Sequence, residues 1–182
     1  MGYITDHMYN KIRYFFVTAQ AGQMFTLMVI PFVSFIILPA QSHDMFLSKT
    51  ILLSGLWVML FWLYSVGSLI YEKYADFLDV PIGRFKVCMG YIVIYPVFYI
   101  YDIIPMDYLL PLHIVSIMSN IFALYFTAKL IVTVERKRKV RFQDYTGTFI
   151  AAWFYVVGIW FLQPRINNIF RNNDENKNMR GS

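Results

Sequence analysis

The chain has 182 residues, of which 58% are hydrophobic and 15% charged. So little charge excludes a soluble domain of ordinary size, because a soluble core helix shows charge every few residues on its outer face. The formal charge of +5 reads as basic flanks of membrane segments meeting anionic headgroups, not as a nucleic-acid footprint, and the lone Cys88 excludes an internal disulfide and a CxxC metal site.

Charge-free stretches cover residues 14–43, 50–71, 87–101, 108–128 and 145–164. A crossing helix needs about 20 mostly apolar residues to pass a hydrocarbon core about 30 Å thick. The pattern predicts an all-α polytopic membrane bundle of about five transmembrane helices, at about 22–40, 51–71, 87–105, 112–134 and 145–163, in one domain over 1–166.

Residues 5–20 predict a helix started by Thr5 or Asp6. Met8, Ile12, Phe15, Phe16 and Ala19 recur at helical spacing, with Asn10, Lys11 and Arg13 elsewhere. That pattern suits a helix lying in the membrane interface, or equally one that runs straight into the first span. Asp6 and His7 ahead of Lys11, and the length of the first apolar stretch, read against a cleaved signal peptide. Pro31 is expected to kink the first span by removing a backbone hydrogen bond. The second span has Trp57 and Trp62 at mid-depth and a small face through Ser54, Ser65 and Ser68. The third has the shortest charge-free core and contains Pro96; the tight connection at 105–111 predicts a hairpin with the fourth. The fifth stops at Pro164, and 167–182 reads as a polar, disordered tail.

Orientation follows from counting Lys and Arg. With five spans and a cytoplasmic N-terminus, eleven basic residues lie inside and five (Lys49, Arg165, Arg171, Lys177 and Arg180) outside. The bias favours N-in and C-out. A re-entrant fifth segment would bring the tail back inside and sharpen it.

Few residues suggest chemistry. On the fourth span His113, Ser116, Asn120 and Thr127 fall within about 60° of one another at 100° per residue. The stripe reads first as interhelical hydrogen bonding, and second as a path for a proton, an ion or a small polar ligand. Asp102 and Asp107 read as ordinary outer-loop carboxylates, and with His113 they match no metal signature. Gly147, Ala151 and Gly158 give the fifth span a small face for close helix packing, internally or with a partner helix. The run containing Arg136, Lys137, Arg138, Lys139 and Arg141 reads as a topogenic signal first and a lipid or partner contact second, and Arg165 as an interface anchor.

The C-terminal third carries a longer pattern. Residues 128–167 read Ala128-Lys-Leu, then Glu135, then Val140-Arg-Phe-Gln-Asp-Tyr-Thr-Gly147, then Trp153, then Gly158-Ile-Trp-Phe-Leu-Gln-Pro-Arg-Ile-Asn167. This resembles small multispanning proteins widespread in Bacteroidota, whose last span reads Trp-Phe-Phe-Pro-Ile-Gly-Ile-Trp-Phe-Ile-Gln-Pro-Arg-Ile-Asn. The resemblance implies a bacterial inner-membrane protein and brings no activity with it. Here Tyr155, Val156 and Val157 replace Phe-Pro-Ile, so this helix is expected to be straighter.

The sequence therefore predicts an integral membrane protein with no catalytic motif, no cofactor and no metal site. Its expected partners are the bilayer and a second copy or a membrane protein, not nucleic acid. Helix packing is the first reading of its role. A small transporter, channel or ligand-binding protein using the fourth-span stripe is the second, and an enzyme using Asp102, Asp107 and His113 the third.

Overall fold

The computed structural model describes residues 2–37, 45–75, 78 and 81–180, without the side chains of 2–6, 106 and 172–180. The described residues form α1 (Gly2–Thr18), α2 (Ala21–Ile37), α3 (Met45–Tyr74), α4 (Ile82–Ile100), α5 (Met106–Arg136), α6 (Phe142–Trp153) and α7 (Tyr155–Arg180), and no strand. Residues 38–40, the end of the first expected span, lie outside the described residues.

The expected five spans are corrected. Among the described residues, α3 and α5 are each long and apolar enough to cross a membrane on their own; α1 and α2, bent by 106° at their junction, make up to a third. Helix α4 has 19 residues and opens with Arg84 and Lys86, which shortens its apolar run. The fifth expected span is two helices, because the chain breaks at Phe154 between α6 and α7.

Cross-helix contacts fix the directions. Lys49 near the start of α3 pairs with Asp102 beyond the end of α4. Trp57 Nε1 donates to the Val93 carbonyl at 3.1 Å, and Gly67 lies against Phe85 near the start of α4. Helix α4 is therefore antiparallel to α3. Tyr91 donates to the Leu112 carbonyl at 2.9 Å, and Phe85 stacks on Phe126 at 4.7 Å. Helix α5 is thus antiparallel to α4 and parallel to α3. The C-terminal ends of α3 and α5 and the start of α4 share one end of the bundle. It also holds Lys73, Arg84, Lys86 and Arg136, and is called the basic end below.

Helices α6 and α7 form a hairpin that leaves the basic end and returns to it. Arg165 on α7 donates to Thr148 Oγ1 on α6 at 2.9 Å. A straight helix would put these residues about 25 Å apart, at 1.5 Å per residue. The turn comes without the family-like proline, which overturns the expectation of a straighter helix. Phe154 adopts φ −90° and ψ 50°, and the Gly158 N–H reaches back to its carbonyl at 2.7 Å. Gly158 makes this possible: a Cβ there would overlap the Ala151 carbonyl oxygen. A residue without a side chain is what lets the two backbones meet.

The expected tail also starts too early in the sequence reading. Helix α7 continues to Arg180, and Ile169 and Phe170 are buried against the bundle. Lys73 Nζ and the Tyr74 hydroxyl donate to the carbonyls of Phe170 and Ile169 at 3.2 and 3.3 Å, tying α7 to the end of α3.

The core lies where α1, α2, α3, α4, α5 and α7 converge, around Met24, Trp62, Leu63, Phe85, Phe126, Ile159 and Leu162. Its tightest seam is at Gly67, where a Cβ would stand 2.6 Å from Phe85 and 3.1 Å from Thr127 Oγ1. Outside this core, large apolar side chains face outward all round: Ile36 on α2, Val87 on α4, Leu110 and Met118 on α5, Phe161 on α7. Such a surface suits lipid, where van der Waals packing rather than apolar burial holds helices together.

Candidate functional site at the basic end

Three polar clasps converge at the basic end, and each joins segments far apart in sequence. The first is built on Gln163, fully buried on α7. Helix α1 ends at Thr18, and the last carbonyls of a helix have no partner within it. Gln163 Nε2 donates to the carbonyls of Phe16 and Ala19, each at 3.1 Å. Its Oε1 accepts from Trp62 Nε1 at 2.9 Å, and Asn167 Nδ2 adds a second donor to Ala19 at 3.2 Å. One amide thus pins the elbow between α1 and α2 to both α3 and α7.

The second clasp is Arg13, only 6% exposed. Its Nη2 donates to Ser68 Oγ and Glu72 Oε1, both at 2.8 Å, and the guanidinium lies over the rings of Tyr9 and Tyr64 at 5.2 and 5.8 Å. Its Nε has no hydrogen-bond partner. The helical face read from sequence is divided here: Met8, Ile12 and Phe15 are exposed, whereas Phe16 and Ala19 turn inward with Arg13 and Val17. Arg13 sits three and four residues before Phe16 and Val17. With the small face at Ser65 and Ser68 and an acid at Glu72, that spacing was the available signal.

The third clasp is Arg165. Its Nε donates to Glu135 Oε1 at 2.8 Å and its Nη2 to the other oxygen, a two-pronged pair across α5 and α7. Arg165 is therefore engaged with protein and is not a free interface anchor. Arg136 and Arg138 both pair with Asp144. The Asp144 carboxylate also accepts from the Arg141 N–H at 2.9 Å, closing the first turn of α6. That backbone hydrogen bond, then the Arg136 and Arg138 guanidinium groups, hold its pKa below the usual carboxylate value against the opposing effect of burial. Lys137, Arg138, Lys139 and Arg141 are exposed, and Lys137 is the left-handed cap of α5 at φ 50°.

No protein-family model, curated protein or solved structure matches the chain.

The other predicted groups are not brought together into one site. The α5 stripe is divided. His113 Nδ1 bonds the Tyr95 hydroxyl at 2.7 Å near the opposite end of the bundle, whereas Thr127 is fully buried against Gly67 with its hydroxyl unpartnered. Ser116 and Asn120 are half-buried between them. Asp102 is taken by Lys49, and Asp107 is exposed in the first turn of α5. No three His, Cys, Asp or Glu gather to hold a metal among the described residues. Of the small face, Ala151 and Gly158 meet each other across the hairpin, while a Cβ at Gly147 would meet nothing within 4 Å. A surface groove of about 430 Å³ lies beside the elbow, lined by Thr18, Gln20, Asn167, Phe170 and Arg171.

At the basic end the Gln163, Arg13 and Arg165 side chains thus join α1, α3, α5, α6 and α7.

Proposed function

We propose that the chain is a multi-pass protein of a bacterial inner membrane that crosses the bilayer four times and acts by presenting fixed surfaces to lipid and to a second copy or membrane partner. Catalysis and transport are not its work. Helices α3 and α5 run parallel, so two crossings there require a return along α4. Helix α2 in turn carries the chain from the basic end to the start of α3. The α6–α7 hairpin enters from the basic end and leaves by it. Of 16 Lys and Arg, this pattern leaves only Lys49 on the far side. That bias is steeper than the eleven-to-five split of a five-span chain, and it makes the N-terminus and the tail both cytoplasmic.

The observation that carries the non-transport reading is the division of the α5 stripe. A conducting path needs a continuous polar or hydrated lining. His113 is tied to Tyr95, and Thr127 is sealed beneath the Gly67 seam. The resemblance over residues 128–167 supports the same reading, because its Gln163, Arg165 and Asn167 all serve as clasps. The test is flux. Vesicles holding the purified protein should leak protons, K⁺ and Na⁺ no faster than lipid alone. A flux that Asn120→Ala removes would overturn this reading in favour of a channel or transporter.

A further inference from the structure

We propose that the basic end is a wedge for one leaflet: it inserts more helix into the cytoplasmic leaflet of an anionic bilayer than the far end inserts into the other, and so favours membrane that is convex on the cytoplasmic side. The inference rests on the four-crossing pattern proposed above.

Two elements occupy one leaflet only. Helix α1 stands at 106° to α2, so it lies across the bundle instead of along it. It meets α3 at the level of Tyr64 to Glu72, the last two turns before the polar boundary. Its outward face carries Met8, Ile12 and Phe15 at i, i+4 and i+7, all exposed, with Lys11 beside them. Buried Arg13 and Gln163 lock this pose from the inside. The second element is the hairpin. Helix α6 has 12 residues, so it reaches about 18 Å, roughly to the bilayer midplane. Its turn exposes Trp153, Phe154 and Val157 to the acyl chains.

The excess is large. Four crossing helices fill both leaflets equally, and the hairpin adds two further sections to one of them, about half as much again. Helix α1 adds a rod about 25 Å long and about 10 Å wide within the same leaflet, the larger part of the added membrane area. The same end bears every Lys and Arg but Lys49, which draws it to anionic headgroups. Shape and charge therefore select the same leaflet. Amphipathic insertion into one leaflet is sensitive to curvature for this reason.

The experiment uses the full chain with Cys88→Ala and single cysteines at Gly2 or Asn176. Detergent is removed from the protein in the presence of two vesicle populations, about 30 nm and about 200 nm across, both phosphatidylcholine with about 20% phosphatidylglycerol. Protein per lipid and the fraction labelled by an impermeant maleimide are measured in each population. The expected result is about threefold more protein per lipid in the small vesicles, with both cysteines facing outward. The variant Met8→Ser/Ile12→Ser/Phe15→Ser should keep its helical content and lose most of that preference. Equal density and equal orientation in the two populations would overturn the wedge, as would an unchanged preference in the triple variant. Cysteines labelled from opposite faces would overturn the crossing pattern itself, a separate failure.

Discussion

Replacing Gln163 by leucine tests the elbow directly. Leucine keeps most of the volume and removes every polar contact. Trp62 Nε1 and the Phe16 carbonyl then lose the partner they have at 2.9 and 3.1 Å, while Ala19 keeps Asn167 at 3.2 Å. An average hydrogen bond between membrane helices is worth only about 0.6 kcal/mol, because the separated helices find other partners. That figure does not apply to a fully buried amide whose removal strands two groups out of reach of water. Each stranded group costs about 1–3 kcal/mol, so Gln163→Leu should destabilise by about 2–6 kcal/mol. For a chain of this size that lowers Tm by about 2–4 °C per kcal/mol. The assay is thermal unfolding in mild detergent, paired with limited proteolysis between α1 and α2, which should speed up. Trp62→Phe alone should cost less, and the double variant less than the sum of the singles, since the two share one bond. A Tm within about 1 °C of the parent for Gln163→Leu would refute the assignment of this amide as the pin of the elbow.

Three further outcomes follow from the hairpin. Gly158→Ala should prevent stable folding, because its methyl overlaps the Ala151 carbonyl, whereas Gly147→Ala meets open space and should raise Tm slightly, by up to about 1 kcal/mol of helix propensity; equal tolerance of both would mean that the turn is not as described. Arg165→Lys should lose about 1–2 kcal/mol in detergent despite keeping the charge, because an ammonium cannot span both Glu135 oxygens and the pair is partly screened; full stability of the lysine variant would refute the two-pronged clasp. Asp144 has a folded pKa below its unfolded one, so its contribution is present above the unfolded value and is lost as pH falls through the folded one. Amide protection in the first turn of α6, taken relative to intrinsic exchange at each pH, should therefore fall on acidification below the ordinary carboxylate range, and Asp144→Asn should abolish that dependence.

The helical character of the chain and the positions of α3 and α5 were legible from charge-free length alone, because nothing else explains a run such as 50–71. The hairpin was not. Its fold depends on Gly158 lying against a carbonyl seven residues earlier, and a glycine on a small face reads equally well as a contact with another helix. Arg13 was misplaced for a related reason. An arginine beside Lys11 looks like part of a solvated face until its acceptors, 55 and 59 residues away, are known. The Gln-Pro-Arg-Ile-Asn segment stood out as a pattern, but its meaning lay in where the elbow came to rest. Its amides serve carbonyls 147 and 144 residues earlier.

Those separations bear on how the protein is made. Synthesis at about 5–20 residues per second leaves a gap of roughly 7–30 s between the emergence of Phe16 and that of Gln163. Within that interval α1 gains its salt bridge to Glu72, but the carbonyls at its end and the indole of Trp62 wait for the last segment. A chain cut short before residue 163 carries these open groups permanently. Docking of α7 is therefore the step that closes the elbow. A full-length molecule hides the polar groups at the elbow, and a truncated one displays them to the proteases and chaperones that patrol the membrane surface.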